Sequence, residues 1–387
     1  MKKPSRRPAA LIRDLRGGLR LITDGVGGVT GLVESLHGRI ARVSPPLGQV
    51  ADAPTRGITG LVYRSIRGTT GLVGAGLDAA LARLQEQLQD APDAQSGRRR
   101  EAVVAALNGV LGDHLLRSGN PLAQQMTLRF QGSGPKPLLL IHGLCMNDQQ
   151  WLRDGHDHGQ ALADEQGFTP IYARYNSGLH ISANGLALAE ELERLLQRWP
   201  EPVEQLAIIG HSMGGLLARS AVQQALQRDM AWPLLLRRLV FLGSPHHGAP
   251  LERAGNWLHQ GLGLSPYLAP FTRLSGLRSA GITDLRHGNL LEADWVGESR
   301  FVGRDRRVVV PLPQGVGCYA VAGTLGRSDG GWLGDGLVPL DSALGRHTHP
   351  QRRLRLPASN HWVARGTHHL DLLSSPAVYA RLKRWLS

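Results

Sequence analysis

The stretch Leu206-Ala207-Ile208-Ile209-Gly210-His211-Ser212-Met213-Gly214-Gly215-Leu216-Leu217-Ala218-Arg219-Ser220-Ala221-Val222 decides the fold class. Four apolar residues, two of them β-branched, have strand character, and Leu216 to Val222 has helical character. Between them stands Gly-x-Ser-x-Gly, and strand, tight turn and helix around such a serine form a nucleophile elbow. Gly210 and Gly214 lack a Cβ, so the strand and the helix can approach each other closely. Ser212 is expected exposed at the tip of the turn, at a helix N-terminus that favours developing negative charge.

Outward from the elbow the chain alternates between apolar strand-like runs and helical segments, the pattern of an α/β domain with a mostly parallel sheet. Upstream, Leu138 to Ile141 reads as a buried strand running into His142-Gly143-Leu144, Trp151 to Gln166 as a helix, Phe168 to Arg174 as a strand and Ala183 to Trp199 as an amphipathic helix. Downstream, Arg238 to Leu242, Cys318 to Ala322 and Arg353 to Leu356 read as strands, and Val378 to Leu386 as a closing helix. The segment from about 249 to 313 lacks strand rhythm and is rich in Leu, Gly and Pro, with Trp257, Tyr267, Phe271 and Trp295. It reads as an inserted cap or lid that builds an apolar pocket. His142, Trp257 and Tyr267 are the candidate pocket residues.

A serine hydroxyl needs a base, and the base needs an orienting carboxylate. In this architecture they follow the serine in the order acid, then histidine. Asp335, between Gly334 and Gly336, is the favoured acid over Asp329 and Asp341. His369 is the favoured base over His361 and His368. The oxyanion requires two preorganised N–H groups, assigned to Met213, which follows the nucleophile, and to Leu144 in the loop after the first strand of the domain. Cys145 reads as structural. No metal or cofactor is expected.

Residues 137–387 resemble bacterial α/β-hydrolase lipases and esterases and the related GPI inositol-deacylase-like hydrolases. The resemblance rests on His142-Gly143-Leu144, on Gly210 to Leu216, on Gly243-Ser244-Pro245-His246-His247-Gly248, similar to a Thr-Pro-His-x-Gly loop with serine replacing threonine, and on His369 to Ser375. It implies an α/β-hydrolase fold of the eight-stranded type and the triad Ser212, Asp335 and His369. It also implies cleavage of carboxylic esters of apolar, lipid-like acyl groups through an acyl-enzyme. Two alternatives stay open: an acyltransferase or thioesterase on lipid-linked substrates, and a membrane-associated binding protein with a secondary hydrolase domain.

Residues 1–118 match no family named here and read as an N-terminal helical region, with the catalytic domain over 119–387. The motif Gly-x-Thr-Gly-Leu-Val occurs three times, at 28–33, 57–62 and 68–73. Glycine pairs on helices leave flat stripes that need a partner surface. The partner is expected to be the catalytic domain, with a lipid surface as the second reading because arginines 56, 64 and 67 flank the stripe. The formal net charge is +13, and a basic surface attracts anions, but no nucleic-acid motif is present. Two distant cysteines, Cys145 and Cys318, fit a reducing compartment. Leu11-Ile12 is interrupted by Arg13 and Asp14, unlike a signal peptide, so the expected location is cytoplasmic, with peripheral association at an anionic inner membrane surface.

Overall fold

The computed structural model describes residue 17 and residues 94–249, 279–297, 307–326 and 334–387. Seven strands, β1 Thr127–Phe130, β2 Pro137–Ile141, β3 Thr169–Arg174, β4 Leu206–His211, β5 Leu236–Leu242, β6 Gly317–Thr324 and β7 His361–Arg365, form one sheet in the order β1-β3-β2-β4-β5-β6-β7. β1 is antiparallel to β3, and every other pair is parallel. The longer helices among the described residues are α1 Ala94–Arg117, α2 His158–Gln166, α3 Ile181–Gln197, α4 Met213–Leu226 and α5 Pro376–Leu386, beside the short helices Ala280–Asp284 and Leu340–Ala343. This is an α/β-hydrolase fold, with the order of the sheet reversing direction around β2 and β3.

Every residue of β2 and β4 is buried, as expected for parallel strands covered by helices on both faces. Alternate residues, Leu138 and Leu140, Ala207 and Ile209, Val240 and Leu242, pack with Leu162 of α2 and with Val378, Leu382 and Trp385 of α5. α3 and α4 pack together, and Gly215 of α4 lies against Phe241, on the opposite face. No helix of the described residues is long and apolar enough to cross a membrane.

The described structure departs from several sequence expectations. The sheet has seven strands among the described residues, not the eight-stranded type. The last strand is His361–Arg365, not Arg353 to Leu356. The alternation of the latter is real, but Arg353 and Arg355 are exposed and Leu354 and Leu356 only half-buried. The Leu356 N–H bonds back to the Leu354 carbonyl at 2.9 Å, a tight turn that a ladder does not allow. The helix expected from Trp151 begins only at His158, where the Asp157 carboxylate caps the N–H groups of Gly159 and Gln160. Trp151 instead ends a 3₁₀ turn, Asp148–Trp151.

The compact unit that contains the sheet comprises residues 98–116 and 123–387. Most of α1, assigned from sequence to the N-terminal region, therefore lies with the sheet. Two glycines let it dock. A Cβ on Gly109 would stand 2.8 Å from the Cys145 Cα, and one on Gly112 would stand 2.9 Å from the Gly178 Cα. The Gly112 carbonyl accepts from Asn176 Nδ2 at 3.0 Å. The repeats at 28–33, 57–62 and 68–73 lie outside the described residues.

Candidate active site

β4 delivers the chain into the turn at Ser212, whose φ of 57° and ψ of −124° lie in a region that side-chain-bearing residues rarely adopt. Such a conformation costs about 1–3 kcal/mol and persists only where the surroundings enforce it. They do so by close approach. A Cβ on Gly210 would meet the Gly215 Cα at 2.6 Å, and one on Gly214 would meet the His142 carbonyl oxygen at 2.6 Å. The Ser212 N–H donates to the Leu242 carbonyl at 2.8 Å, which ties the turn to the end of β5. Ser244 adds a hydroxyl donor to the Gly210 carbonyl at 3.4 Å.

Ser212 is buried, where the sequence reading had it exposed. Segments converge on it that are far away in the sequence. Gly143 stands so close that a Cβ there would lie 3.0 Å from the Ser212 Cβ. The Ser212 hydroxyl has no hydrogen-bond partner among the described residues.

Asp335 and His369, 34 residues apart, meet beside Gly243. His369 Nδ1 lies 2.7 Å from Asp335 Oδ2, both side chains fully buried. The His369 N–H also donates to the Asp335 carbonyl at 3.1 Å. Asp335 Oδ1 accepts from the N–H groups of Leu337 at 3.0 Å and Val338 at 2.8 Å, which aims Oδ2 at the imidazole. Donation through Nδ1 assigns the tautomer with an Nε2 lone pair, the state a general base requires. Gly243, next to the Leu242 that anchors Ser212, touches both members of the pair: a Cβ there would lie 3.1 Å from Asp335 Oδ2 and from His369 Cε1.

The other candidates are placed elsewhere. His361 opens β7, paired with Ala320 in the middle of β6, while Asp335 and His369 follow the opposite, C-terminal ends of β6 and β7. His368 is exposed. Asp341 is exposed and pairs with Arg346 at 3.6 Å. Asp329, Trp257 and Tyr267 lie outside the described residues. His142 is buried and stacks on Tyr175 with ring centroids 4.2 Å apart. Burial pushes its pKa down to about 4.

His142 nevertheless shapes the loop that carries Leu144. Its Nδ1 donates to the Gly143 carbonyl at 2.8 Å, and Tyr175 donates its hydroxyl to the His142 carbonyl at 2.7 Å. The Cys145 N–H is taken by Ser177 Oγ at 2.9 Å. Both carbonyls are thus engaged away from Ser212. Among the described residues no acceptor is paired with the N–H of Leu144 or of Met213. Burial pushes the Cys145 thiol up to about 12, which makes it inert as a nucleophile at neutral pH.

One residue of the site had no role in the sequence reading beyond its place in the motif. His211 is fully buried, and its Nε2 donates to the His369 carbonyl at 3.1 Å. Burial holds its pKa well below the usual histidine range. No sequence signal distinguishes this histidine from a filler between Gly210 and Ser212.

In the inserted segment, Asp284 is buried and accepts from His180 Nδ1 at 3.1 Å, the Ile181 N–H at 2.8 Å and Asn289 Nδ2 at 3.1 Å. It thereby anchors this segment to the N-terminus of α3, where a negative charge is favoured. Trp295 stacks on His180 with centroids 3.7 Å apart and donates to Ser182 Oγ at 3.0 Å. Among the described residues no group of three or more His, Cys, Asp or Glu is arranged to hold a metal ion. Asp371 lies 3.5 Å from Arg153.

Residues 132–312 match the family model described as PGAP1-like alpha/beta domain. That span includes the Gly143 loop and the elbow but ends before Asp335 and His369. No curated protein shows a significant sequence match to the chain. Among solved structures, the mature form of Bacillus licheniformis lipase BlEst2 is similar at 16% identity and a TM-score of 0.44, covering 68% of this chain and 98% of that one. A lipase-esterase related protein from Clostridium acetobutylicum is similar at 12% identity and a TM-score of 0.39, covering 68% of this chain and 100% of that one. Pyrococcus furiosus esterase Pf2001 is similar at 15% identity and a TM-score of 0.41, covering 67% of this chain and 84% of that one.

Proposed function

We propose that the PGAP1-like α/β domain of this chain hydrolyses carboxylic esters of apolar, lipid-like acyl groups through a covalent intermediate on Ser212. The observation that carries this reading is the buried Asp335–His369 hydrogen bond of 2.7 Å, set against Gly243, the residue after the Leu242 whose carbonyl holds the N–H of the strained Ser212. In the reaction His369 Nε2 takes the proton of the Ser212 hydroxyl as its oxygen attacks the acyl carbonyl. Asp335 stabilises the imidazolium that forms. The N–H groups of Leu144 and Met213 receive the oxyanion, and loss of one such donor raises the barrier by about 3 kcal/mol. The imidazolium then protonates the departing alcohol. Water, deprotonated by the same Nε2, attacks the acyl-serine and frees the acid.

The apolar substrate class rests on the inserted segment, whose Leu, Trp, Tyr and Phe content suits an acyl-binding wall. A fluorophosphonate probe tests the chemistry, since it needs an activated serine. The wild-type protein is expected to be labelled and Ser212→Ala to escape labelling; a labelled Ser212→Ala protein overturns the assignment. A series of esters of increasing acyl length, read against Ser212→Ala as background, tests the substrate class, and preference for acetyl esters over long chains would refute it.

A further inference from the structure

A cavity of about 530 Å³ opens away from the residues of the catalytic site. None of Ser212, Asp335, His369, Leu144 or Met213 lines it. Its wall includes Cys318 at the start of β6 and Asn360 immediately before β7, the strand ends opposite to those that lead to Asp335 and His369. The described lining holds five arginines and two histidines, and no Asp or Glu. A volume of this size suits a small molecule, and the charge suits an anion.

The decisive features are two buried donors. Arg219 of α4 is 6% exposed, and among the described residues no carboxylate stands within ion-pair distance of it. Its Nη2 donates to the Val310 carbonyl at 2.6 Å and its Nη1 to His246 Nδ1 at 3.4 Å, while its Nε–H has no acceptor. Accepting at Nδ1 assigns the proton of His246 to Nε2. That atom is also buried without an acceptor, on a side chain with no exposure. A buried guanidinium with no carboxylate within ion-pair distance, and two buried donors without an acceptor among the described residues, are costly, and each calls for an explanation. Burial, reinforced by the neighbouring Arg307 and only partly offset by Asp294, pushes the Arg219 pKa down to about 9.

We propose that the cavity bounded by Arg219, His246, Arg307 and Arg355 is a binding site for a phosphoryl group, distinct from the Ser212 site. A phosphoryl group brings several acceptor oxygens, at most one of them protonated at neutral pH, and a charge approaching two. This matches unpaired N–H donors and the planar fork of arginine better than water or a single carboxylate does. Arg355 is exposed at the rim, where a ligand enters. A free phosphate ester and a phospholipid headgroup share this chemistry.

Titration calorimetry and thermal unfolding of the full chain, with inorganic phosphate replacing chloride at constant ionic strength, test the site. Phosphate is expected to bind saturably and raise Tm in the wild type and equally in Ser212→Ala. Arg219→Met is expected to weaken binding about tenfold or more, the typical effect of a hydrogen bond to a charged group. If Arg219→Met does not fold, Arg355→Ala at the rim serves in its place, with a loss of about threefold expected from one partly screened charge. No saturable phosphate binding, unchanged affinity in the folded variant, or equal affinity for acetate overturns the proposal. Binding of glycerol 3-phosphate without binding of phosphatidic-acid vesicles supports the site with a soluble ligand; vesicle binding lost in the variant supports it with a lipid headgroup.

Discussion

The imidazole of His211 donates from Nε2 to the main-chain carbonyl of His369 across 3.1 Å, so the residue preceding the proposed nucleophile holds the backbone of the proposed base. The two rings lie 4.7 Å apart between centroids. Ser212 and His369 come from segments more than 150 residues apart in the sequence, and this contact links the residue before Ser212 directly to the backbone of His369. His211→Phe keeps the ring but removes the donor. It is expected to lower kcat about tenfold or more with little change in KM, because misplacing the base affects the transition state and not ground-state binding. His211→Gln, whose amide nitrogen reaches a similar position, is expected to recover most of kcat. Steady-state ester kinetics on the three proteins decide the matter.

α1 supports the loop that bears Leu144. A Cβ at Gly109 would come within 2.8 Å of the Cys145 Cα and 2.9 Å of its amide nitrogen. Gly109→Ala is therefore expected to displace that loop and lower kcat about tenfold or more, in proportion to the loss of an oxyanion donor. An Ala substitution at Gly119, where a Cβ meets nothing within 4 Å but φ is +58°, costs only backbone strain and should leave kcat alone. Equal kcat in both variants would contradict the buttress.

Asp284 is buried with three donors on its carboxylate. Asp284→Ala leaves those donors unsatisfied and removes the negative charge at the start of α3. A loss of about 3 kcal/mol is expected from urea unfolding. Asp284→Asn, which keeps part of the hydrogen bonding, should cost less.

Burial pushes His142 and His158 down to pKa values of about 4 from 6.5. Between these values the unfolded chain takes up protons that the folded chain refuses, so folding is opposed as pH falls. Stability is expected to be flat above about pH 6.5 and to decline down to about pH 4, each such histidine contributing up to about 1.4 kcal/mol per pH unit. His158 donates Nε2 to the Leu372 carbonyl at 2.9 Å. Replacing it by Gln should reduce the slope of stability against pH by about one proton in this window, measured by urea unfolding at several pH values.

Burial pushes the thiols of both Cys145 and Cys318 up to about 12. Neither is expected to react with iodoacetamide in the folded protein at pH 8, and both should react in urea, as read by intact mass. Fast alkylation of the native chain would refute the structural assignment of Cys145.

Most strands legible in the sequence were those whose apolar runs are continuous, because parallel strands covered on both faces carry little polar alternation. β2, β4, β5 and β6 are of that kind; β3 was legible as well, with alternating burial. β1 was missed because Thr127–Phe130 is short and mostly exposed. β7 was missed because His361-Trp362-Val363 is only half-buried, and its place was given to Arg353–Leu356, whose alternation is a surface feature. Boundaries at α1 could not be read because the burial of Gly109 and Gly112 against Cys145 and Gly178 is a long-range fact.

The sequence by itself determined the elbow: Gly210, Ser212 and Gly214 between an apolar strand and a helix admit one tight turn, and the local sterics of glycine suffice to explain it. It also narrowed the acid and the base to a few residues each, through chain order alone. Only the tertiary structure distinguishes these candidates by position: Asp335 and His369 stand within 2.7 Å of each other, while His361 opens β7 at the far end of the strands and Asp341 lies at the surface. It alone gave His211 a carbonyl to hold, and it alone brought the buried Arg219 and His246 into the lining of one cavity. Hydrogen bonds and desolvation act on distances in space, and the distances between residues 27 to 158 positions apart are set by how the helices and the sheet pack, not by any local pattern.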